Sequence, residues 1–187
     1  MHKATLRKLV REYRNEIPQK RWMELSKAIQ SNAEYMAVAV NATKVHVYLA
    51  SPGHSEVDTS ELYNSLLARH ITTVVPRVLS DSGDMESVVV NYSTRFQQNK
   101  WGIREPVDGA IANSDRFDIV FVPMLGADME GRRLGFGKGF YDRFLGSTDA
   151  TKVGLCPEDF MFDRIPIEPH DISMDFIITE SRFIRIK

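Results

Sequence analysis

DIVFVPMLGADMEGRRLGFGKGFYDRFL, residues 118–145, contains the pattern that decides the fold. Asp118–Pro123 reads as an apolar strand, closed by a proline that cannot donate to a ladder. A polar turn then leads through Gly131, Gly135, Gly137 and Gly139, and a helix begins near Phe140. Strand, glycine-rich loop and helix in that order form the repeating unit of an α/β protein. In open sheets of this kind, ligands collect at the carboxyl ends of the strands, where this loop lies.

Working outward, the same alternation continues in both directions. Val45–Leu49, Ile71–Val75, Ser87–Tyr92, Lys152–Leu155 and Phe176–Thr179 are short runs rich in β-branched and aromatic residues, and each predicts a strand. The first helix carries apolar positions Leu6, Leu9, Val10, Tyr13 and Ile17 at spacings of three and four. Lys3, Arg7, Arg11 and Arg14 recur at the same spacings and form a second stripe. Pro18 ends that helix, and another is predicted from about Gln19 to Asn32. Asp58 with Glu61 three residues on resembles a capping box, opening a helix that runs to about His70. The expectation is one α/β domain over residues 1–187, with a mostly parallel sheet and helices on both faces.

Composition agrees. A chain of 187 residues, 43% hydrophobic and 26% charged, buries enough surface to fold without staples. Its one cysteine, Cys156, excludes an internal disulfide framework and fits a reducing compartment. Tyr35–Val40 and Ile119–Ala127 are apolar but far shorter than the ~20 residues needed to span a bilayer. The start, MHKATLRKLVREYR, lacks the apolar core of a signal peptide, so a cytoplasmic location is expected and a membrane partner is not.

The formal net charge of -1 is unevenly spread. Residues 1–21 hold seven basic against two acidic side chains, a net +5, and residues 131–143 hold four against one, a net +3. Residues 157–180 hold seven acids against Arg164, a net -6. Two readings fit: solvated faces of differing sign, or basic segments for a phosphate compound and an acidic one for its metal.

The glycine-rich loop also has two readings. Gly135, Gly137 and Gly139 form either a tight structural turn or a cradle whose backbone N–H groups approach an anion closely. Lys138 between two of them, Arg133 just before, and the helix N-terminus just after favour the cradle. No GxxxxGK[ST] motif occurs, and GFGKGF lacks the final glycine spacing of a dinucleotide fingerprint.

RLGFGKGFYDRFL, residues 133–145, resembles the signature of the 5-formyltetrahydrofolate cyclo-ligase family, also called methenyltetrahydrofolate synthetases. KATLRK, SEVDTSEL, VVPRV, WGIREP and RIPIEPHDISMDFIITE occur in the order that family shows, so the resemblance spans essentially the whole chain. It implies conversion of 5-formyltetrahydrofolate, free or polyglutamylated, to 5,10-methenyltetrahydrofolate with ATP as co-substrate and Mg2+ as cofactor. The implied chemistry is transfer of the γ-phosphoryl group to the formyl oxygen, followed by ring closure and loss of phosphate.

Carried over residue by residue, the resemblance places Lys3, Arg7, Arg133, Leu134, Gly135, Phe136, Gly137, Lys138, Gly139, Phe140 and Tyr141 at ATP, with Arg133 and Lys138 catalytic. It places Glu56, Trp101, Gly137, Lys138, Gly139, Phe140 and Tyr141 at the folate, and Asp142 and Asp171 at the metal. Phe140 and Tyr141 read equally well as core anchors of the helix. Lys8 and Arg14 read as solvated, and Asp175 as structural. His46, His54, His70, His170 and Cys156 read as structural or surface residues without metal-ligand spacing.

Three departures from the family pattern stand out: the lengthened loop Ser51–Ser55, Ala127 where an aromatic is common, and Phe160 where Gln is common. The neutral overall charge disfavours nucleic acid, and aromatics do not interleave with the basic residues as a stacking platform requires. A monomer is expected. An acceptor other than folate, on the same nucleotide chemistry, is the alternative reading.

Overall fold

The computed structural model describes residues 2–51, 56–79, 84–100, 102–113 and 116–187. Two helices come first, α1 (Lys3–Glu16) and α2 (Gln19–Ala39), separated at Pro18, whose carbonyl accepts the Trp22 N–H at 3.0 Å. Then follow β1 (Lys44–His46), α3 (Ser60–Ala68), β2 (Thr72–Val78), β3 (Met85–Val90), and a hairpin of β4 (Phe96–Gln98) and β5 (Arg104–Pro106). The second half contains β6 (Ile119–Pro123), β7 (Gly126–Asp128), β8 (Arg133–Leu134), α4 (Phe140–Leu145), β9 (Thr151–Leu155), β10 (Met161–Phe162), β11 (Phe176–Ile178) and β12 (Phe183–Arg185).

Seven strands form the main sheet in the order β12-β11-β9-β6-β1-β2-β3. All pairs are parallel except the two edges, β11 with β12 and β2 with β3. β6 is central: Ile119 aligns with Val45 of β1 on one side and Thr151 of β9 on the other. All five of its residues are buried, which explains its unbroken apolar run.

Alternate residues of β6 feed two cores. Ile119 and Phe121 join Ile29, Ala33, Leu62 and Leu66 from α2 and α3. Val120 and Val122 join Val10, Phe144 and Leu145 from α1 and α4. Helices therefore cover both faces, as the sequence pattern predicts. Each fully buried side chain such as Phe121 contributes about 1.5–3 kcal/mol. Among the described residues no helix is long and apolar enough to cross a membrane.

Local readings needed correction where tertiary contacts intervene. α2 runs seven residues past the predicted end at Asn32 because Ala33, Met36 and Ala37 continue its buried face. No capping box forms at α3. Asp58 Oδ1 accepts the Ser60 N–H at 3.0 Å, while the Glu61 and Leu62 N–H groups donate to Gln30 Oε1 of α2 at 2.9 and 3.1 Å. The first helix buries Lys3 and Arg14 of its basic stripe beside Val10 of its apolar one, whereas Leu9 is 47% and Tyr13 52% exposed.

A three-stranded sheet, β10-β7-β8, and the β4–β5 hairpin have no counterpart in the sequence reading. Their strands of two or three residues are too short to show a period.

Candidate active site

A cleft of about 290 Å³ opens over the carboxyl ends of β1, β2 and β6, lined there by Tyr48 and Leu49, Pro76 and Val78, and Pro123. This is where ligands bind in open parallel sheets. The loop between β8 and α4 forms one wall and the N-terminal turns of α1 form another.

The glycine loop requires glycine at two points. Gly137 has φ +98° and Gly139, which caps α4, has φ +70°, both in the left-handed region. A Cβ on Gly137 would lie 3.3 Å from the Arg7 guanidinium carbon. Arg7 Nε donates to the Gly135 carbonyl at 2.8 Å, and Arg11 Nη2 to the Phe136 carbonyl at 3.1 Å. Helix α1 thus clamps the loop through arginines, and the close approach is possible because no side chain stands at Gly137.

Arg14 continues the clamp into the interior. Its Nη2 donates to the consecutive carbonyls of Met124 and Leu125, at 3.2 and 2.7 Å, where the chain passes from β6 to β7. The guanidinium carbon lies 4.4 Å from the Phe160 ring centroid and 5.0 Å from that of Trp22. Lys8 is solvent-exposed as expected, but Arg14 is only 2% exposed, so its reading as a solvated residue is corrected. Phe160 is the aromatic wall this buried cation packs against.

Within the cleft lining, Lys3 pairs with Asp171 through its ammonium. The carboxylate Oδ2 also accepts the Glu168 N–H at 2.6 Å. Burial raises the Asp171 pKa, but Lys3 and the Glu168 N–H outweigh it and hold the acid below the usual carboxylate range. Arg133, also buried, donates to Asp142 Oδ1 and to the Ile172 carbonyl, both at 2.6 Å, and Asp142 Oδ1 accepts the Ile172 N–H at 3.2 Å. Each proposed metal-binding carboxylate thus has one oxygen fully engaged. Among the described residues the other oxygen, Oδ2 of Asp142 and Oδ1 of Asp171, accepts nothing. Lys138 is exposed on the loop and has no ion-pair partner among the described residues.

The cleft lining also holds acidic and apolar side chains. Glu56 receives the Ser51 N–H at 2.8 Å, and burial pushes its pKa up to about 7 against the opposing pull of that N–H and of Arg14. Leu49, Val78, Met85, Ile103 and Glu105 line the same cleft.

Of the site residues predicted from sequence, Lys3, Arg7, Glu56, Arg133, Gly135–Tyr141, Asp142 and Asp171 all line this cleft. Leu134 does not: its side chain is fully buried in the core beneath the loop, and its carbonyl accepts the Leu125 N–H at 2.7 Å. Trp101 lies outside the described residues, as does most of the Ser51–Ser55 loop. Phe140 and Tyr141 sit between the two readings, facing the cleft while Tyr141 also packs on both cores. Asp175 is structural, accepting the Lys152 N–H at 2.7 Å.

His46 is fully buried and its pKa is lowered to about 3 by desolvation; Cys156 is likewise buried, its thiol pushed up to about 12. His170 needs correction. It lines the cleft, 3.4 Å from Glu168, and ligand atoms of Glu168, His170 and Asp171 lie within 4.8 Å of one another. Single-residue spacing hid this grouping because Pro169 and the turn after Glu168 bring alternate residues together. Sequence reasoning gives Glu105 no role, and it places Arg11 and Arg14 on the basic stripe of α1 without assigning the clamp that their i, i+4, i+7 spacing from Arg7 permits.

A mostly parallel sheet carrying a glycine-lined cleft with several cationic side chains at its carboxyl ends defines an α/β enzyme. The chain belongs to the 5-formyltetrahydrofolate cyclo-ligase family, whose model matches residues 1–180, and it is a ligase. It is 26% identical to the Escherichia coli K12 5-formyltetrahydrofolate cyclo-ligase over 181 residues, covering 93% of this chain and 98% of that one. It is 25% identical to the mouse 5-formyltetrahydrofolate cyclo-ligase over 153 residues, covering 75% and 74%. The solved structure of Aquifex aeolicus 5,10-methenyltetrahydrofolate synthetase superimposes with a TM-score of 0.88 at 31% identity, covering all of this chain and 94% of the other.

Proposed function

We propose that this protein converts 5-formyltetrahydrofolate to 5,10-methenyltetrahydrofolate, coupled to cleavage of ATP to ADP and phosphate. The observation that carries the reading is a single cleft whose lining combines a cationic glycine loop with a buried acid and apolar side chains. Lys3, Arg7, Arg133 and Lys138 line it together with the glycine loop, and so do Glu56, Leu49 and Val78. A triphosphate suits the first set, and a flat, apolar ring with N–H donors suits the second.

A formamide carbonyl is a poor electrophile, and its oxygen is a poor leaving group. Transfer of the γ-phosphoryl group to that oxygen releases ADP and leaves an imino-phosphate. N10 of the folate then attacks the former formyl carbon. The carbon–oxygen bond breaks, phosphate departs, and the N10 proton is lost as the five-membered ring closes. The protein's share is to hold donor and acceptor in line and to neutralise charge on the moving group. Lys138 is the mobile cation for that charge, while Arg133, fixed by Asp142 and the Ile172 carbonyl, is a pre-oriented one. Arg7 holds the loop with Nε, so its remaining N–H groups are available to the phosphates.

Asp142 and Asp171 fit Mg2+, because each offers one unengaged carboxylate oxygen, the hard donor this cation prefers. When bound, Mg2+ supplies positive charge to the phosphate oxygens. Glu56, with a pKa near neutrality, recognises the pterin donors. The reading includes a monomer acting in the cytoplasm.

The test is growth of the methenyl absorbance when purified protein meets 5-formyltetrahydrofolate and Mg-ATP. No absorbance change with nucleotide binding intact overturns the proposal. Lys138→Ala is expected to lower kcat with little change in the KM for folate.

A further inference from the structure

Glu105 belongs to the β4–β5 hairpin, lines the cleft and is 7% exposed. One of its oxygens is committed to structure. Oε1 accepts the Val78 N–H at 2.9 Å and Asn99 Nδ2 at 2.8 Å, fastening the hairpin to β2. Among the described residues Oε2 accepts no hydrogen bond, and no cation pairs with the carboxylate. Arg77, the nearest basic residue on β2, is used by Glu86 at 2.6 Å and by the Pro106 carbonyl at 3.2 Å.

A carboxylate held in place by neutral donors through one oxygen, with the other open to the cleft rather than buried, presents a pre-oriented acceptor to a ligand there. An ionised carboxylate only accepts hydrogen bonds, so the partner must be a donor. Val78, Met85 and Ile103 line the cleft with it and suit a flat ring rather than a phosphate. The anionic parts of both substrates, triphosphate and glutamyl tail, are repelled by it. The N–H edge of a reduced pterin meets all three conditions.

We infer that Glu105 is a substrate-contacting residue that accepts, through Oε2, a hydrogen bond from an N–H group of the reduced pterin, alongside Glu56. The inference rests on the folate reading above and adds a second acid to the site. The hairpin thereby does more than cover the sheet. It carries an acceptor whose aim is set by β2.

Glu105→Gln separates the two oxygens. The amide oxygen can still take the Val78 and Asn99 donors, while an NH2 replaces Oε2 and turns an acceptor into a donor. A hydrogen bond to a charged group corresponds to a factor of roughly 10–150, so the KM for 5-formyltetrahydrofolate is expected to rise at least about tenfold. The KM for ATP should stay within about twofold. A folate KM that rises less than about threefold, or an ATP KM that rises equally, overturns the inference.

Wild-type protein carrying ¹³C at the Glu side-chain carboxyls gives a readout independent of that variant's folding. The Glu105 resonance should shift on adding 5-formyltetrahydrofolate alone and not on adding Mg-ADP; the absence of a folate-induced shift overturns the proposal. Wild-type protein that neither binds nor turns over 5-formyltetrahydrofolate overturns the functional reading together with it. Normal wild-type turnover with an unaffected Gln variant overturns the Glu105 role alone.

Discussion

Replacing Arg14 with Met removes the buried cation that joins α1 to the sheet. Its Nη2 donates to the Met124 and Leu125 carbonyls, and charged hydrogen bonds contribute about 1.5–3 kcal/mol each. Packing against Phe160 and Trp22 at 4.4 and 5.0 Å adds about 2 kcal/mol. Opposing these is desolvation. Burial lowers the Arg14 pKa from 12.5 to about 10, a penalty of about 3 kcal/mol. Methionine fills similar volume and escapes that penalty, but it leaves two carbonyls without their donor. The balance is a loss of about 3 kcal/mol. Urea unfolding followed by far-ultraviolet circular dichroism measures it, avoiding the fluorescence of Trp22 beside the substitution. Arg14→Lys should fall between wild type and Met, because one ammonium cannot serve both carbonyls and both rings. A Met variant as stable as wild type would refute the reasoning, showing that desolvation cancels everything the guanidinium contributes.

Glu56 has a folded-state pKa of about 7 against 4.5 in the unfolded chain, so the folded state holds the proton more tightly. Its contribution is full below about pH 4.5 and is lost as pH rises through about 7, at most about 3 kcal/mol; thermal melts at pH 5 and pH 8 should converge in Glu56→Gln. Gly137→Ala forces φ +98° on an L-residue and presses on Arg7, so it should cost about 1–2 kcal/mol and raise the KM for ATP more than that for folate. Cys156, buried and with its thiol pushed up to about 12, should react with a thiol reagent only as fast as the chain opens. Fast labelling of native protein would contradict that burial.

The local sequence determined much of this protein. The apolar run through Val122, the β-branched runs that became the other parallel strands, and the break at Pro18 each follow from residue type and period alone. Those signals are short-range and survive any tertiary context. The glycine loop was equally legible, since φ values above zero at Gly137 and Gly139 are what glycines at those places permit.

Tertiary structure decided the rest. Helix α1 carries two stripes of equal period, and periodicity cannot say which one faces in. The inward face takes from both, Val10 from the apolar stripe and Lys3 and Arg14 from the basic one, because the carbonyls at Met124, Leu125, Gly135 and Phe136 need donors that leucine cannot supply. The same holds for Gln30 at the start of α3, for His170 beside Glu168, and for Glu105 at the cleft wall. Each meets its partner across a distance in sequence or a turn that no local pattern encodes, so its role exists only once the chain has folded.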